Sequence, residues 1–391
     1  MKMNIRWPLM KNNITRKDLE KVISFLKGAP RLTQADNVKA FEMEWSEWLG
    51  VKYSVFVNSG SSANFISISV INHLYDTGDI IVPTLTWVSD IASVIQNGFN
   101  PVFVDINPRN LCMNDEMIIA KLKKKTRAVF LTHAQGFNGL TDRLLDTLKE
   151  RNIPLVEDVC ESHGATFKGK KLGSFGLISN FSFYFAHHMS TIEGGMICTN
   201  NKDVYEIARM LRSHGMVREV EDYSIKESYI KNNPDLNPDF IFAFPGYNMR
   251  NTEIGAVLGR SQLERLDENN EKRRKNFEIF LKHLDSEKFR TDFDLEGSCN
   301  YALNIIIRKP DPVLRNRLER VFIENGIEFR RGSSGGGNQL RQPYLKGIIP
   351  DQEWQNYPET EHVHFFGYYI GNYSDCDEQE IIKLCKLLNN L

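Results

Sequence analysis

From about residue 50 to residue 200 the chain alternates short β-rich runs with helical patterns, and this alternation narrows its fold more than any other feature. Strands are expected at Tyr53–Val57, Ile80–Val82, Pro101–Val104, Ala128–Thr132, Pro154–Glu157, Phe181–Tyr184 and Met196–Thr199. Helices lie between several of them, such as Ala63–Tyr75 and Asp115–Lys123. Alternation of this kind builds a mostly parallel sheet covered by helices, an α/β architecture. Ligands in such folds sit beyond the carboxyl ends of the strands. The loops that follow the strands are therefore the place to look for chemistry.

Further on, Val204–His214 and Asn251–Lys282 read as helices, the second broken near Leu266–Asp267. The polar segment Tyr223–Phe244 reads as a loop. Past residue 283 the pattern restarts with a strand at Tyr301–Arg308, a helix at Pro312–Asn325, a strand at Ile327–Arg331 and a closing helix at Asp377–Leu388. The expectation is a large domain over residues 1–282 and a smaller C-terminal α+β domain over 283–391. With 391 residues, 41% of them hydrophobic, the chain is long enough to bury such cores.

The 49 Lys and Arg residues nearly balance 50 Asp and Glu, which argues against a nucleic-acid partner. The basic run Lys121-Leu122-Lys123-Lys124-Lys125 reads as a solvated helix end. No stretch approaches the ~18 apolar residues of a membrane span. The segment Met1–Pro8 lacks the apolar core of a secretory signal. Six cysteines without a C-x-x-C pair read as reduced thiols of a cytoplasmic protein.

Four segments carry candidate chemistry. Ser59-Gly60-Ser61-Ser62-Ala63-Asn64 follows a strand and opens a helix, which suits either a phosphate or an ordinary N-cap. Asp158 ends the strand in Leu155-Val156-Glu157-Asp158, where it either pairs with a protonated ring nitrogen or caps a helix. Trp87 follows another strand and either stacks on a flat heterocycle or belongs to the core. Ser182 precedes a histidine pair, His187-His188, ahead of Glu193-Gly194-Gly195. A metal site there needs further ligands at workable spacing, and the sequence offers no such set. The tract Gly332–Asn338 is either a flexible linker or a ligand loop.

In order and spacing these segments, with Pro245-Gly246-Tyr247-Asn248-Met249-Arg250, closely resemble the DegT/DnrJ/EryC1/StrS family of nucleotide-sugar enzymes, over nearly the whole chain. The resemblance implies the aspartate-aminotransferase fold (fold type I of the pyridoxal-phosphate, PLP, enzymes) and a homodimer with shared active sites. It implies that Gly60, Ser61 and Ser182 bind the cofactor phosphate, that Trp87 stacks on the ring and that Asp158 pairs with its nitrogen. Ser162 would lie near the cofactor. Asn248 would reach the phosphate of the neighbouring subunit, with Arg250 at the same interface.

One departure redirects the chemistry. The sugar transaminases of the family carry a lysine six residues before the acidic residue of the Glu/Asp-Gly-Gly motif, and here that place is His187. No lysine lies between Lys171 and Lys202. A histidine moves protons near neutral pH but does not hold the cofactor covalently. The chain is thus similar to the histidine-for-lysine branch, the sugar 3-dehydratases. That branch implies pyridoxamine phosphate (PMP) or PLP bound noncovalently, His187 as base with a pKa near ~6.5, and a nucleotide-linked 4-keto-6-deoxyhexose as substrate. L-Glutamate would regenerate the amine. Substrate contacts would come from His188, Arg250, Arg330, Asn338 and Arg341, and the segment Gly337–Tyr344 raises the Gly-rich tract towards a ligand loop. An iron–sulfur cluster is not expected, because Cys198 and Cys299 bracket a long stretch without cysteine. A GDP-linked sugar is favoured on that ground, within O-antigen synthesis.

Overall fold

The structure, a computed structural model, describes residues 6–391; the first five residues of the expected large domain lie outside the described residues. Its main sheet is built from β1 (Tyr53–Val57), β2 (Asp79–Pro83), β3 (Asn100–Val104), β4 (Thr126–Thr132) and β5 (Leu155–Asp158). A short hairpin follows, β6 (Thr166–Phe167) with β7 (Lys170–Lys171), and then β8 (Ile178–Ser182) and β9 (Gly195–Thr199) complete the sheet. The order across the seven strands is β1-β9-β8-β5-β4-β2-β3. β9 runs antiparallel to both neighbours, and the remaining pairs are parallel.

Such a sheet is buried on both faces, so its strands are largely apolar, with β5 and β8 carrying buried polar residues. Alternate residues serve opposite layers. Ile80, Val82 and Phe130 pack under the helices Gly60–Leu74, Val88–Gln96 and Lys202–Arg212 through Ile66, Val70, Ile91 and Val204. Ile81, Val129 and Leu131 pack on the other face against Phe41, Trp45, Ile118 and Leu144.

A second, three-stranded antiparallel sheet has β12 (Gly367–Gly371) between β10 (Ala302–Ile306) and β11 (Phe329–Arg331). Helices Leu266–His283, Pro312–Glu324 and Glu378–Asn389 cover it. Its core continues into Leu85, Ile106 and Phe137, which belong to the loops of the main sheet. The two sheets therefore share apolar contacts along the rim where ligands are expected.

Three expectations need correction. β8 starts three residues before the expected Phe181 and takes in two buried polar residues: Ser179 Oγ donates to Gly173 O, and Asn180 Oδ1 accepts from Ser67 Oγ, while Asn180 Nδ2 has no partner among the described residues. The expected loop at Tyr223–Phe244 begins with a helix, Tyr223–Asn232, capped by Asp222. None of its residues is fully buried, and its apolar face is limited to Ile225, Tyr229 and Ile230, half-buried against the core among polar neighbours. The central strand of the small sheet, β12, is flanked by glycines and was not expected at all.

Candidate active site

The carboxyl ends of β1, β2, β4, β5 and β8 converge on one cavity of about 450 Å³. Its wall contains Gly60, Ser61, Trp87, Asp158, Ser182, His187 and Arg330, seven of the residues expected from sequence. Among the described residues no lysine lines it.

One end is a cradle. Ser59 caps the helix Gly60–Leu74 by accepting from Ser62 N–H, which leaves the Gly60 and Ser61 N–H groups facing the cavity without a protein partner among the described residues. Ser182, the last residue of β8, stands against this helix start. The approach is so close that a Cβ on Gly60 would lie 2.5 Å from Ser182 Cβ and 2.9 Å from its Oγ. Free N–H groups, a hydroxyl and the positive end of the helix make an anion site.

Asp158 closes β5 in the middle of the wall. Its Oδ1 accepts from Cys160 N–H at 2.8 Å and its Oδ2 from Asn64 Nδ2 at 2.9 Å. Trp87, more than half exposed, lies beside it on the cavity and is not a core residue. Glu161 also lines the cavity, accepting from Gln135 N–H at 2.8 Å and from Ser334 Oγ at 3.0 Å. Burial pushes the Glu161 carboxyl up to about 7.

His187 stands in the turn after β8. The turn is set by its own N–H donating to Tyr184 O and by Asn13 Nδ2 donating to His187 O at 3.1 Å. Its Nδ1 is buried without a partner. The ring is packed by His163, Tyr184 and Tyr301, with centroids 5.9, 6.4 and 5.7 Å away. Burial, and then the Arg273 guanidinium, pull its pKa down to about 3, well below the neutral value expected from sequence. Arg273 is itself buried, bonded to the carbonyls of Tyr301 and Asn372, and among the described residues it has no carboxylate partner.

The Gly-rich tract is part of the wall. Gln339 N–H donates to Thr84 O at 2.9 Å, and Leu85 bridges to Asn338, so the tract is stitched to the loop after β2. Gly335 has φ +59° and packs on Thr86 O, where a side chain would collide.

Six expected residues do not reach this cavity wall. His188 is buried behind His187, with Nε2 3.3 Å from Cys299 Sγ. Ser162 spends its hydroxyl on His133 O at 2.6 Å. Arg341 is paired with Glu361 and stacked 3.6 Å over Trp354, and Asn338 Nδ2 also donates to Glu361. Asn248 accepts from the Arg250 guanidinium at 3.0 Å on an outer surface of the chain. Sequence reasoning passed over Asn64, although it stands inside the segment Ser59–Asn64, and Glu161, three residues after Asp158. It also passed over Tyr301, Tyr369 and Arg273, which come from distant parts of the chain.

A phosphate cradle, a fixed carboxylate, an exposed indole and a buried imidazole with a free nitrogen fit a phosphorylated pyridine. Comparison with known proteins agrees. The chain matches the DegT/DnrJ/EryC1/StrS aminotransferase family over residues 12–363, and it belongs to that family. The GDP-4-keto-6-deoxy-D-mannose 3-dehydratase of Yersinia pseudotuberculosis is 30% identical over 388 residues, 97% of either chain. The structure of E. coli GDP-4-keto-6-deoxy-D-mannose-3-dehydratase with bound hydrated PLP superimposes with a TM-score of 0.88 at 30% identity, covering 98% of this chain and 99% of that one. A GDP-4-keto-6-deoxymannose-3-dehydratase with a trapped PLP-glutamate geminal diamine gives 0.87 at 29%, covering 98% and 100%. The fold is that of the PLP-dependent aminotransferases.

Among the described residues no helix is long and apolar enough to cross a membrane, and no group of three or more His, Cys, Asp or Glu is set to hold a metal.

Proposed function

We propose that this chain is a PLP/PMP-dependent lyase that removes the C3 hydroxyl of a nucleotide-linked 4-keto-6-deoxyhexose, GDP-4-keto-6-deoxymannose in the first instance. The observation that carries the reading is His187, an imidazole on the cavity wall at the place where transaminating relatives carry lysine. The products are the 4-keto-3,6-dideoxy sugar and ammonia, with glutamate leaving as 2-oxoglutarate. The enzyme acts in lipopolysaccharide synthesis, as a homodimer in the cytoplasm.

The cofactor supplies an amine that condenses with the sugar ketone and a ring that takes up electrons. The rest is the work of the chain. Gly60 and Ser61 N–H groups and the Ser182 hydroxyl hold the phosphate. Asp158 keeps the ring nitrogen protonated, and Trp87 covers the ring face. His187, held neutral by its setting, takes a proton from the carbon that bears the cofactor's amine. Lacking a side-chain amine, it leaves the cofactor free to come and go. Arg330, at the open side of the cavity without a carboxylate partner among the described residues, suits the substrate's diphosphate. Asn248, exposed on one chain, and Arg250, half-buried beside it, would complete the site of the partner subunit.

The test is a panel of GDP-, CDP- and dTDP-4-keto-6-deoxyhexoses with PLP and glutamate. Loss of the C3 oxygen with release of ammonia is the expected result, and an aminosugar product would replace this reading by transamination. In His187→Lys the cofactor should become covalently joined at position 187, seen by mass after borohydride reduction, and dehydration should be lost.

A further inference from the structure

Behind Asp158 stands a second carboxyl for which the reaction above has no use. Asp90 lies in the first turn of the helix Val88–Gln96 and is fully buried. One side-chain amide bridges the two: Asn64 Nδ2 donates to Asp90 Oδ1 at 2.7 Å and to Asp158 Oδ2 at 2.9 Å. The Asp90 Oδ2 atom accepts from two hydroxyls, Thr86 and, at 2.5 Å, Thr132. Among the described residues neither carboxyl has a cation partner. Two carboxyls within hydrogen-bonding reach in such an interior do not both ionise.

The geometry says which one keeps a proton. Asp158 opens on the cavity, while Asp90 is sealed behind it. Burial and the Asp158 charge raise the affinity of Asp90 for its proton. Its Oδ2 is occupied by two hydroxyl donors, so the proton belongs on Oδ1, the oxygen turned towards the Asn64 bridge and Asp158. Of the other titratable groups facing the pair, the Cys160 thiol and the Tyr344 phenol are pushed up, first by burial and then by the neighbouring carboxyl charge, and stay neutral. Glu161, which also feels the Asp158 charge, is raised to about 7 chiefly by burial and is common to wild type and variant.

We infer that Asp90 is a positioning residue, a neutral carboxylic acid that donates a hydrogen bond to Asp158 and leaves the pair one negative charge aimed at the cavity. What that charge serves, a protonated ring nitrogen, rests on the function proposed above. Held from behind by Asn64 and Asp90, the Asp158 carboxylate keeps its orientation whether or not a cofactor is present. That suits an enzyme whose cofactor is not tethered.

Two measurements test this. In the cofactor-free protein, the melting temperature of Asp90→Asn relative to wild type should rise as pH is raised from about 4 to about 8, because only the wild type carries a carboxyl that binds its proton more tightly when folded. A flat or opposite trend means that Asp90 is ionised and overturns the inference. In the holoenzyme, the nitrogen NMR shift of labelled PMP should titrate alike in wild type and Asp90→Asn, since the amide also donates while neutral. Asp90→Ala, which removes the donor, should bind PMP roughly ten-fold more weakly. A shift of the ring-nitrogen titration in Asp90→Asn by more than about one pH unit overturns the inference. If wild type itself fails to bind PMP, the cofactor reading fails, and the melting comparison still decides where the proton lies.

Discussion

The two walls of the cavity are built on opposite principles. On one, Asp158 is held by hydrogen bonds: Cys160 N–H on one oxygen, Asn64 on the other, with Asp90, Thr86 and Thr132 behind. On the other, the His187 ring has no partner at Nδ1 and is held by neighbouring rings alone. A group that must stay charged is surrounded by donors, which favour the ionised form and fix its direction. A group that must accept a proton keeps a free nitrogen, and its basicity is set by desolvation and by Arg273. The first wall is an anchor; the second is a proton carrier.

The largest expected effects separate these roles. His187→Asn should lower kcat by roughly 10²–10⁴-fold, the usual weight of a general base, while PMP binding measured by equilibrium dialysis stays near wild type. Asp158→Ala should weaken PMP binding by roughly a hundred-fold or more, since one partner of a buried charged contact is removed. If His187→Asn loses PMP as severely as Asp158→Ala, the division between anchor and carrier is wrong. The acid limb of kcat offers a second handle. In the cofactor-free chain His187 is drawn down to about 3, so its ring NMR signals should not titrate between pH 7 and pH 5 there, and any fall in kcat over that range reports groups in the loaded complex.

Glu161 sharpens the comparison, because it sits on the anchor wall yet is pushed towards its neutral form, as His187 is on the other. Its carboxyl moves from the ordinary 4.5 to about 7 through burial. Below pH 4.5 it is neutral in folded and unfolded chains alike. Between there and about 7 the folded protein keeps a proton that the unfolded chain gives up, so stability falls through that window as pH rises. The loss comes to roughly 3 kcal/mol above pH 7. Glu161→Gln removes it, so the cofactor-free variant should melt higher than wild type at pH 8 and level with it at pH 4. Equal melting at both would place the Glu161 charge in a more favourable setting than its burial indicates.

Much of the anchor wall was legible in the sequence, and less of the rest. Gly60, Ser61, Trp87, Asp158, Ser182 and His187 stand in short motifs at strand ends, and a parallel sheet brings strand ends together whatever their separation in sequence. Most main-sheet strands were legible because each is an apolar run between turn residues; β8, with Ser179 and Asn180 inside it, was placed three residues late. Asp90 and Arg273 were not, because each lies within a helix and its role depends on neighbours up to about a hundred residues away, such as Asn372 for Arg273. β12 was missed because Gly-Tyr-Tyr-Ile-Gly carries glycines at both ends, and its pairing with β10 and β11 is a tertiary fact. His188 and Arg341 looked like ligand groups by position. In the structure His188 is buried beside Cys299 and Arg341 is paired with Glu361, contacts that no local sequence pattern announces.

The smallest effect tests the joint between the two walls, where Ser182 ends β8 just before the turn that carries His187. Gly60 has no side chain because Ser182 stands where its Cβ would go, and Cys160 Sγ lies only 3.1 Å from the same point. Gly60→Ala must therefore displace Ser182, for backbone on either side is fixed by β8 and by the capped helix. Overpacking of this kind costs about 1–3 kcal/mol, a lowered melting temperature rather than an unfolded protein. The diagnostic change is in selectivity. Wild type should prefer PMP strongly over pyridoxamine, which lacks the phosphate. The Gly60→Ala variant should lose roughly ten-fold of that preference, the effect of one hydrogen bond to a charged group, with pyridoxamine itself bound as before. If both ligands weaken equally, the cradle between Gly60 and Ser182 does not hold the phosphate, and the damage has passed to the ring through Asp158 or His187 instead.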